Sequence, residues 1–133
     1  MAFRDVAASY QSRAVETAPG PQVLVMLYDR LAVDIEVADN AIAERNLEAA
    51  NEAIQHAQQI VSVLRHSLRP DGFDGGEDLL ALYDFLSRHL VDANLSKSQT
   101  VLRQCATIVA PLRDAWRLAV AQPERADVPA HVG

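Results

Sequence analysis

Residues 46–70, NLEAANEAIQHAQQIVSVLRHSLRP, carry the pattern that decides the fold. Apolar residues recur there at alternating intervals of three and four positions: Leu47, Ala50, Ile54, Ala57, Val61, Leu64 and Leu68. Because an α-helix turns once every 3.6 residues, this spacing aligns the side chains in one stripe along a helix. A stripe with this repeat is typical of a helix in an antiparallel bundle. We therefore predict a bundle helix here, capped by Asn46 and ended by Pro70.

Three further segments show the same kind of periodicity. The first helix is predicted over about Pro21–Arg45, and the third over about Glu77–Leu95. The last helix is predicted to begin at a cap on Ser96 or Ser98 and to reach roughly Ala121. Because short linkers join these long helices, neighbouring helices should be antiparallel. The sequence thus predicts an all-α fold, an antiparallel four-helix bundle with a short extra N-terminal segment.

The predicted core combines one apolar stripe from each helix. The stripe of the first helix is formed by Leu24, Tyr28, Leu31, Ile35, Ala38 and Ile42. The stripe of the third helix is formed by Leu79, Leu82, Leu86, Leu90 and Ala93. The stripe of the last helix is formed by Val101, Cys105, Ile108, Leu112, Ala115 or Trp116, and Ala119.

Two helices depart from this simple picture. The first helix has additional apolar residues at Val23, Met26, Leu27, Val33 and Val37. Its N-terminal half is therefore apolar almost all round, which indicates a helix that is central or covered by something else. In the last helix, Pro111 removes a backbone donor and predicts a kink between Thr107 and Pro111.

The ends of the chain differ in composition from the four helices. Residues 1–18 contain only sparse apolar residues, and Pro19-Gly20-Pro21 forbids a continuous helix into the bundle. Prolines and charged residues also dominate residues 122–133. We expect a single helical-bundle domain over residues 1–121, in which residues 1–18 form a mobile segment, followed by a flexible tail over residues 122–133.

Composition excludes several classes of function. The formal net charge of −6 argues against nucleic acid as a partner, because phosphate binding needs a clustered basic face. The longest apolar run, Val23–Tyr28, is far too short to insert into a membrane as a spanning helix. A single cysteine cannot form an internal disulfide, and no signal peptide is evident, so a cytoplasmic protein is expected.

No residue pattern for catalysis, a metal or a cofactor is present. The Glu-x-x-His pairs of di-iron bundles, paired-cysteine zinc motifs and phosphate-binding glycine loops are all missing. His56 is expected to flank the core or lie on the surface, and Cys105 to be a buried, inert thiol. Asp84 and Arg88 are spaced as a surface ion pair within one helix. Trp116 either caps the end of the bundle or contacts a partner.

The order of several short motifs resembles the flagellar export chaperone FliS family. Tyr10 and Val15-Glu16-Thr17-Ala18 precede Leu27-Tyr28-Asp29 in the first helix. The third helix has Leu82-Tyr83-Asp84-Phe85, and the last helix ends with Arg113-Asp114-Ala115-Trp116. This similarity covers about residues 8–120. The chain departs from the family where Pro19-Gly20-Pro21 replaces a Ser-Pro start, where Arg30 replaces a small residue, and at Pro111.

The resemblance implies a non-enzymatic cytoplasmic chaperone. Such a protein binds the disordered C-terminal region of flagellin, prevents premature polymerisation and aids flagellin export. The flagellar export machinery and a second copy of this chain are further candidate partners. The candidate partner-binding residues are Val6, Tyr10, Val15, Leu24, Leu27, Tyr28, Leu82, Tyr83 and Trp116.

The N-terminal apolar residues Phe3, Val6, Tyr10 and Val15 suggest a specific hypothesis. They would lie over an apolar groove in the free protein and be displaced or re-used by flagellin. The alternative is an N-terminal arm that only completes the core.

Two other functions compete with the chaperone. One is a helical-bundle interaction module of another secretion or signalling system. The other is a small metal-dependent or carboxylate enzyme, for which the sequence offers no ligand pattern.

Overall fold

Four long helices make up the described part of the protein. The computed structural model describes residues 20–72 and 74–121. In chain order these contain α1 (Pro21–Ala43), α2 (Leu47–Ser67), a 3₁₀ turn (Pro70–Gly72), α3 (Gly76–Ser96) and α4 (Gln99–Ala121). No strand occurs within these ranges. The prediction of an all-α four-helix bundle is confirmed, whereas the predicted N-terminal segment and C-terminal tail lie outside the described residues.

Local capping explains where two of the helices begin. The side-chain Oδ1 of Asn46 accepts a hydrogen bond from the backbone N–H of Ala49 at 3.2 Å, as predicted. The hydroxyl of Ser98 accepts one from the backbone N–H of Val101, also at 3.2 Å, so Ser98 rather than Ser96 caps α4. Pro111 is exposed, and α4 continues through it without interruption. The kink at Pro111 stays a prediction.

Side-chain contacts between helices establish the antiparallel arrangement. On α1, Asp39 accepts a hydrogen bond from Gln99 at the start of α4. Asp29, earlier on α1, pairs with Arg117 near the end of α4. The two helices therefore run in opposite directions. The α2–α3 pair does the same, since Asn51 contacts Asn94 and Arg65 contacts Asp84.

The buried core follows the predicted stripes with shifts of one residue. Leu82 is only half-buried, and its neighbour Tyr83 is buried instead. On α4, Leu102 and Val109 are buried, whereas Val101 and Ile108 are half-buried. The buried residues of α3 and α4 still step by three and four positions, so the predicted period is correct and only the choice between adjacent apolar residues differs.

Leu47 departs from the prediction more strongly. It is 51% exposed, although it begins the α2 stripe. Leu47 is the first residue of α2 and directly follows the turn from α1, at one end of the bundle. Its predicted place in the core is therefore wrong.

The turn between α2 and α3 depends on a glycine. A Cβ added at Gly76 would lie 2.2 Å from the carbonyl oxygen of Pro70, and a backbone atom cannot move away easily. Gly76 is itself buried, so this close approach holds the 3₁₀ turn against the first turn of α3. The residue before it, Gly75, has a φ of 85°, which only glycine adopts without strain.

We expect Gly76→Ala to lower the free energy of unfolding by about 1–3 kcal/mol, because the turn must shift to relieve the overlap. Gly72→Ala is the matched control in the same turn. Its added Cβ would meet nothing closer than 3.7 Å, so its stability should stay close to that of the parent. Urea denaturation measures the free energy of unfolding of both variants, and equal midpoints for the two would contradict the prediction.

Candidate functional site

Three of the predicted partner-binding residues form one buried aromatic cluster. The hydroxyls of Tyr28 on α1 and Tyr83 on α3 share a hydrogen bond of 2.5 Å. The ring of Tyr28 stacks on Trp116 of α4, with 6.2 Å between ring centres and 22° between planes. All three side chains are at most 2% exposed. The cluster joins three helices near the N-terminal end of α1, where Trp116 is buried in the core.

The other predicted partner-binding residues fall into three groups. Leu24 is buried in the core beside this cluster. Leu27 and Leu82 are half-buried and pack against the edge of the core, so part of each side chain faces outward. Val6, Tyr10 and Val15 lie outside the described residues. Of the predicted set, Leu27 and Leu82 are thus the described residues that a partner reaches without rearrangement.

The surface is more apolar than the predicted set suggests. Eight large apolar side chains of the described residues are exposed, and they are Val23, Met26, Val33, Val37, Leu47, Val63, Val91 and Leu95. Four of them lie on α1, where the sequence already showed a surplus of apolar residues. The chain keeps these side chains in water at positions where polar residues would be easier to solvate.

A buried carboxylate ties α1 to α2. Asp34 is 3% exposed and is the one buried charged residue of the described ranges. Arg30 Nε–H donates to its Oδ1 at 3.1 Å, and His56 Nδ1 lies 2.5 Å from its Oδ2. A carboxylate can only accept hydrogen bonds, so His56 carries a proton on Nδ1. His56 is the predicted flanking residue, and it satisfies a group that would be costly to bury alone.

We expect His56→Ala to destabilise the protein by about 1–2 kcal/mol, because Asp34 then keeps Arg30 alone as partner. His66→Ala is the matched control on the same helix. His66 is exposed and bonds only within its own turn of α2, to Ser62, so its loss should cost less than about 0.5 kcal/mol. Chemical denaturation measures the free energy of unfolding of both variants. An equal loss of stability in the two would show that the hydrogen bond between His56 and Asp34 contributes nothing.

The ion pair predicted within α3 is wrong. Asp84 pairs with Arg65 of α2, at 2.5 Å, rather than with Arg88 on its own helix. The reason is the antiparallel register, which places Arg65 opposite Asp84 and leaves Arg88 exposed. Arg65 and Asp84 are both partly exposed, so this pair contributes little to stability.

The described residues offer little chemistry for catalysis. Within residues 20–72 and 74–121, no group of three potential metal ligands comes together. A groove of about 260 Å³ lies between α1 and α4, with alanines Ala32, Ala106 and Ala110 in its lining and charged residues such as Glu36 and Arg113 beside them. Burial raises the pKa of the Cys105 thiol to about 11, so the group is a neutral, inert thiol. No described helix is long and apolar enough to cross a bilayer.

The buried thiol predicts a loss of stability at high pH. An unfolded cysteine ionises near pH 8.5, whereas folded Cys105 holds its proton until about pH 11. Between those values the folded state binds more protons than the unfolded state, so rising pH favours unfolding. Comparing Cys105→Ala with the parent across pH 8 to 11 should therefore show the stability gap shrink by about 2 kcal/mol. A difference in stability between the parent and Cys105→Ala that stays constant from pH 8 to 11 would contradict this prediction.

Comparison with known proteins covers the whole bundle. A family model described as flagellar protein FliS matches residues 3–123. A Bacillus subtilis (strain 168) protein named flagellar secretion chaperone FliS is 32% identical over 127 residues, which span 96% of this chain and 94% of that protein. An Escherichia coli (strain K12) protein of the same name is 26% identical over 112 residues, or 83% and 82% of the two chains.

Proposed function

Because the chain belongs to the flagellar protein FliS family, we propose that it binds the disordered C-terminal region of flagellin in the cytosol. It is a flagellar export chaperone and not an enzyme, and its partner is a flagellar export substrate. Holding the C-terminal region would prevent flagellin from polymerising early and keep it ready for the export machinery. The observation that carries this proposal is the family match over residues 3–123.

The surface supports a chaperone of this kind. A flagellin terminal segment that is amphipathic but still unfolded needs a temporary apolar partner. The exposed apolar side chains of α1 provide one, in the manner of a helix laid into a groove. Ordering the client on binding costs a few kcal/mol of the gross interaction energy. That cost lowers the net affinity and lets the client leave for export.

The binding surface would include residues of the four helices together with residues that precede α1. Leu27 and Leu82 present half-buried side chains at the edge of the core. Val6, Tyr10 and Val15 precede α1, and we propose that they are displaced or re-used when flagellin binds. Leu24, Tyr28, Tyr83 and Trp116 are buried, so they would contribute by supporting this surface or by becoming accessible when it rearranges.

Calorimetric titration of the full chain with the C-terminal segment of flagellin from the same organism tests the proposal. We expect binding with a negative heat-capacity change, because apolar surface is buried, and a gain of helix in the client. A scrambled peptide of the same composition should not bind. Absence of binding at tens of micromolar would contradict the proposal and favour an interaction module of another secretion or signalling system.

The same titration examines the N-terminal segment. Deleting residues 1–15 should change the affinity for flagellin while the far-UV helicity and the melting temperature stay near those of the full chain. Loss of the fold after the deletion would contradict this part of the proposal and indicate an arm that completes the core.

A further inference from the structure

The solvent face of α1 carries a second apolar stripe, separate from the core. Val23, Met26, Val33 and Val37 are between 47% and 68% exposed. Arg30 lies between Met26 and Val33 in the sequence. The four apolar residues and Arg30 are spaced 3, 4, 3 and 4 positions apart. This is the spacing of a helix face that packs against another helix. We call these five residues the outer stripe.

The four apolar side chains of the outer stripe face solvent, and only its Arg30 takes part in the bundle, through Asp34. One flank of α1 contacts α2 through Asp34 and His56, and the other contacts α4 through Asp29 and Asp39. The apolar side chains of the stripe lie on the remaining, solvent-facing side of α1. From Val23 to Val37 it extends about 21 Å, at 1.5 Å per residue, which is the length of four helical turns. A client helix of that length would cover it completely.

Arg30 puts a positive charge at the centre of this stripe. Its side chain is 61% exposed, and its Nε–H donates to Asp34. The two terminal amino groups of a guanidinium carry four further N–H donors. A purely apolar helix laid on the stripe would desolvate this charge without compensation, and that is costly. A carboxylate facing Arg30 would instead form a charge-assisted hydrogen bond.

We propose that the outer stripe docks one amphipathic helix of the flagellin C-terminal region, with an Asp or Glu of that helix facing Arg30. This inference rests on the proposed function and adds the surface and the charge pattern of the client. Apolar side chains of the client pack between those of the stripe, and the carboxylate sets their register. A helix lacking the carboxylate, or carrying a Lys there, is rejected.

The charges on α1 favour this occupant over a second copy of the chain. If two copies packed their stripes in full overlap, parallel or antiparallel, Arg30 would face Arg30 of the other copy. Such like-charge contacts are unfavourable. Beyond the C-terminal end of the stripe, Glu44 is exposed and forms no ion pair with any described residue. It favours a client helix with a basic residue beyond its central carboxylate.

Substitution of the stripe tests the docking surface. The double variant Met26→Gln and Val33→Thr keeps the side-chain shapes and removes apolar contact. We expect its affinity for the flagellin C-terminal segment to fall at least about tenfold, measured by calorimetry. Leu95→Gln is the matched control, because Leu95 is 82% exposed and lies at the opposite end of the bundle, on α3. Its affinity should stay within about twofold of the parent.

A charge swap tests the role of Arg30. Arg30→Glu should weaken binding, and a Lys in place of one acidic residue of the flagellin segment should restore it. Arg30→Gln, which places no new charge beside Asp34, should also weaken binding. Arg30 is also a partner of Asp34, so both variants should melt below the parent, and far-UV helicity at the titration temperature checks that each is folded. Failure of every acidic-to-Lys peptide to restore binding would overturn the assignment of Arg30.

The outcomes separate this inference from the proposed function. If the parent and the double variant bind flagellin with equal affinity, the proposed docking surface is wrong, whereas the proposed function is still supported. If the parent does not bind flagellin, the proposed function itself is wrong. If sedimentation shows a dimer that the double variant dissociates, the occupant is a second copy and the inference is overturned.

Discussion

Burial of four apolar helix faces along one axis is the constraint on which the other features of the bundle depend. The size of the core side chains changes along that axis. Near the start of α1 the core contains Tyr28, Tyr83 and Trp116, whereas toward the end of α1 it contains alanines such as Ala38 and Ala53. Polar contacts at the seams are compatible with the register that this packing sets, and they contribute little energy, since most involve exposed side chains. Asp34 is the exception, because its carboxylate is buried and must have partners.

The sequence predicts this bundle well because periodicity and capping are local properties. The stripe of α2 and the cap at Asn46 needed no knowledge of the rest of the chain. The same reasoning could not choose between adjacent apolar residues such as Leu82 and Tyr83, because both lie within one residue of the ideal stripe. The partner of Asp84 was mispredicted for a related reason. Spacing within a helix points to Arg88, but the register of α3 against α2, which is a tertiary property, selects Arg65.

The candidate binding surface was harder to predict than the fold. Core and surface use the same apolar residues, so motif resemblance singled out Tyr28, Tyr83 and Trp116, which are buried, together with Leu27 and Leu82, which are partly exposed. The sequence showed the surplus apolar residues of the first helix, but it did not show whether their side chains face the core or the solvent. Only the packing of α2 and α4 on either side of α1 shows that Met26, Val33 and Val37 face water.

The apolar core within residues 20–72 and 74–121 is already packed, which bears on how such a chaperone can work. Because Tyr28, Tyr83 and Trp116 are buried in the core, a client on the solvent face of α1 would not need to displace them. The four helices then need no reordering, and the bundle is ready for another cycle as soon as the client departs. Specificity cannot come from apolar contact by itself, since many amphipathic helices offer it. A single partly exposed arginine in the middle of an apolar stripe supplies it, because each wrong helix leaves that charge desolvated and unpaired.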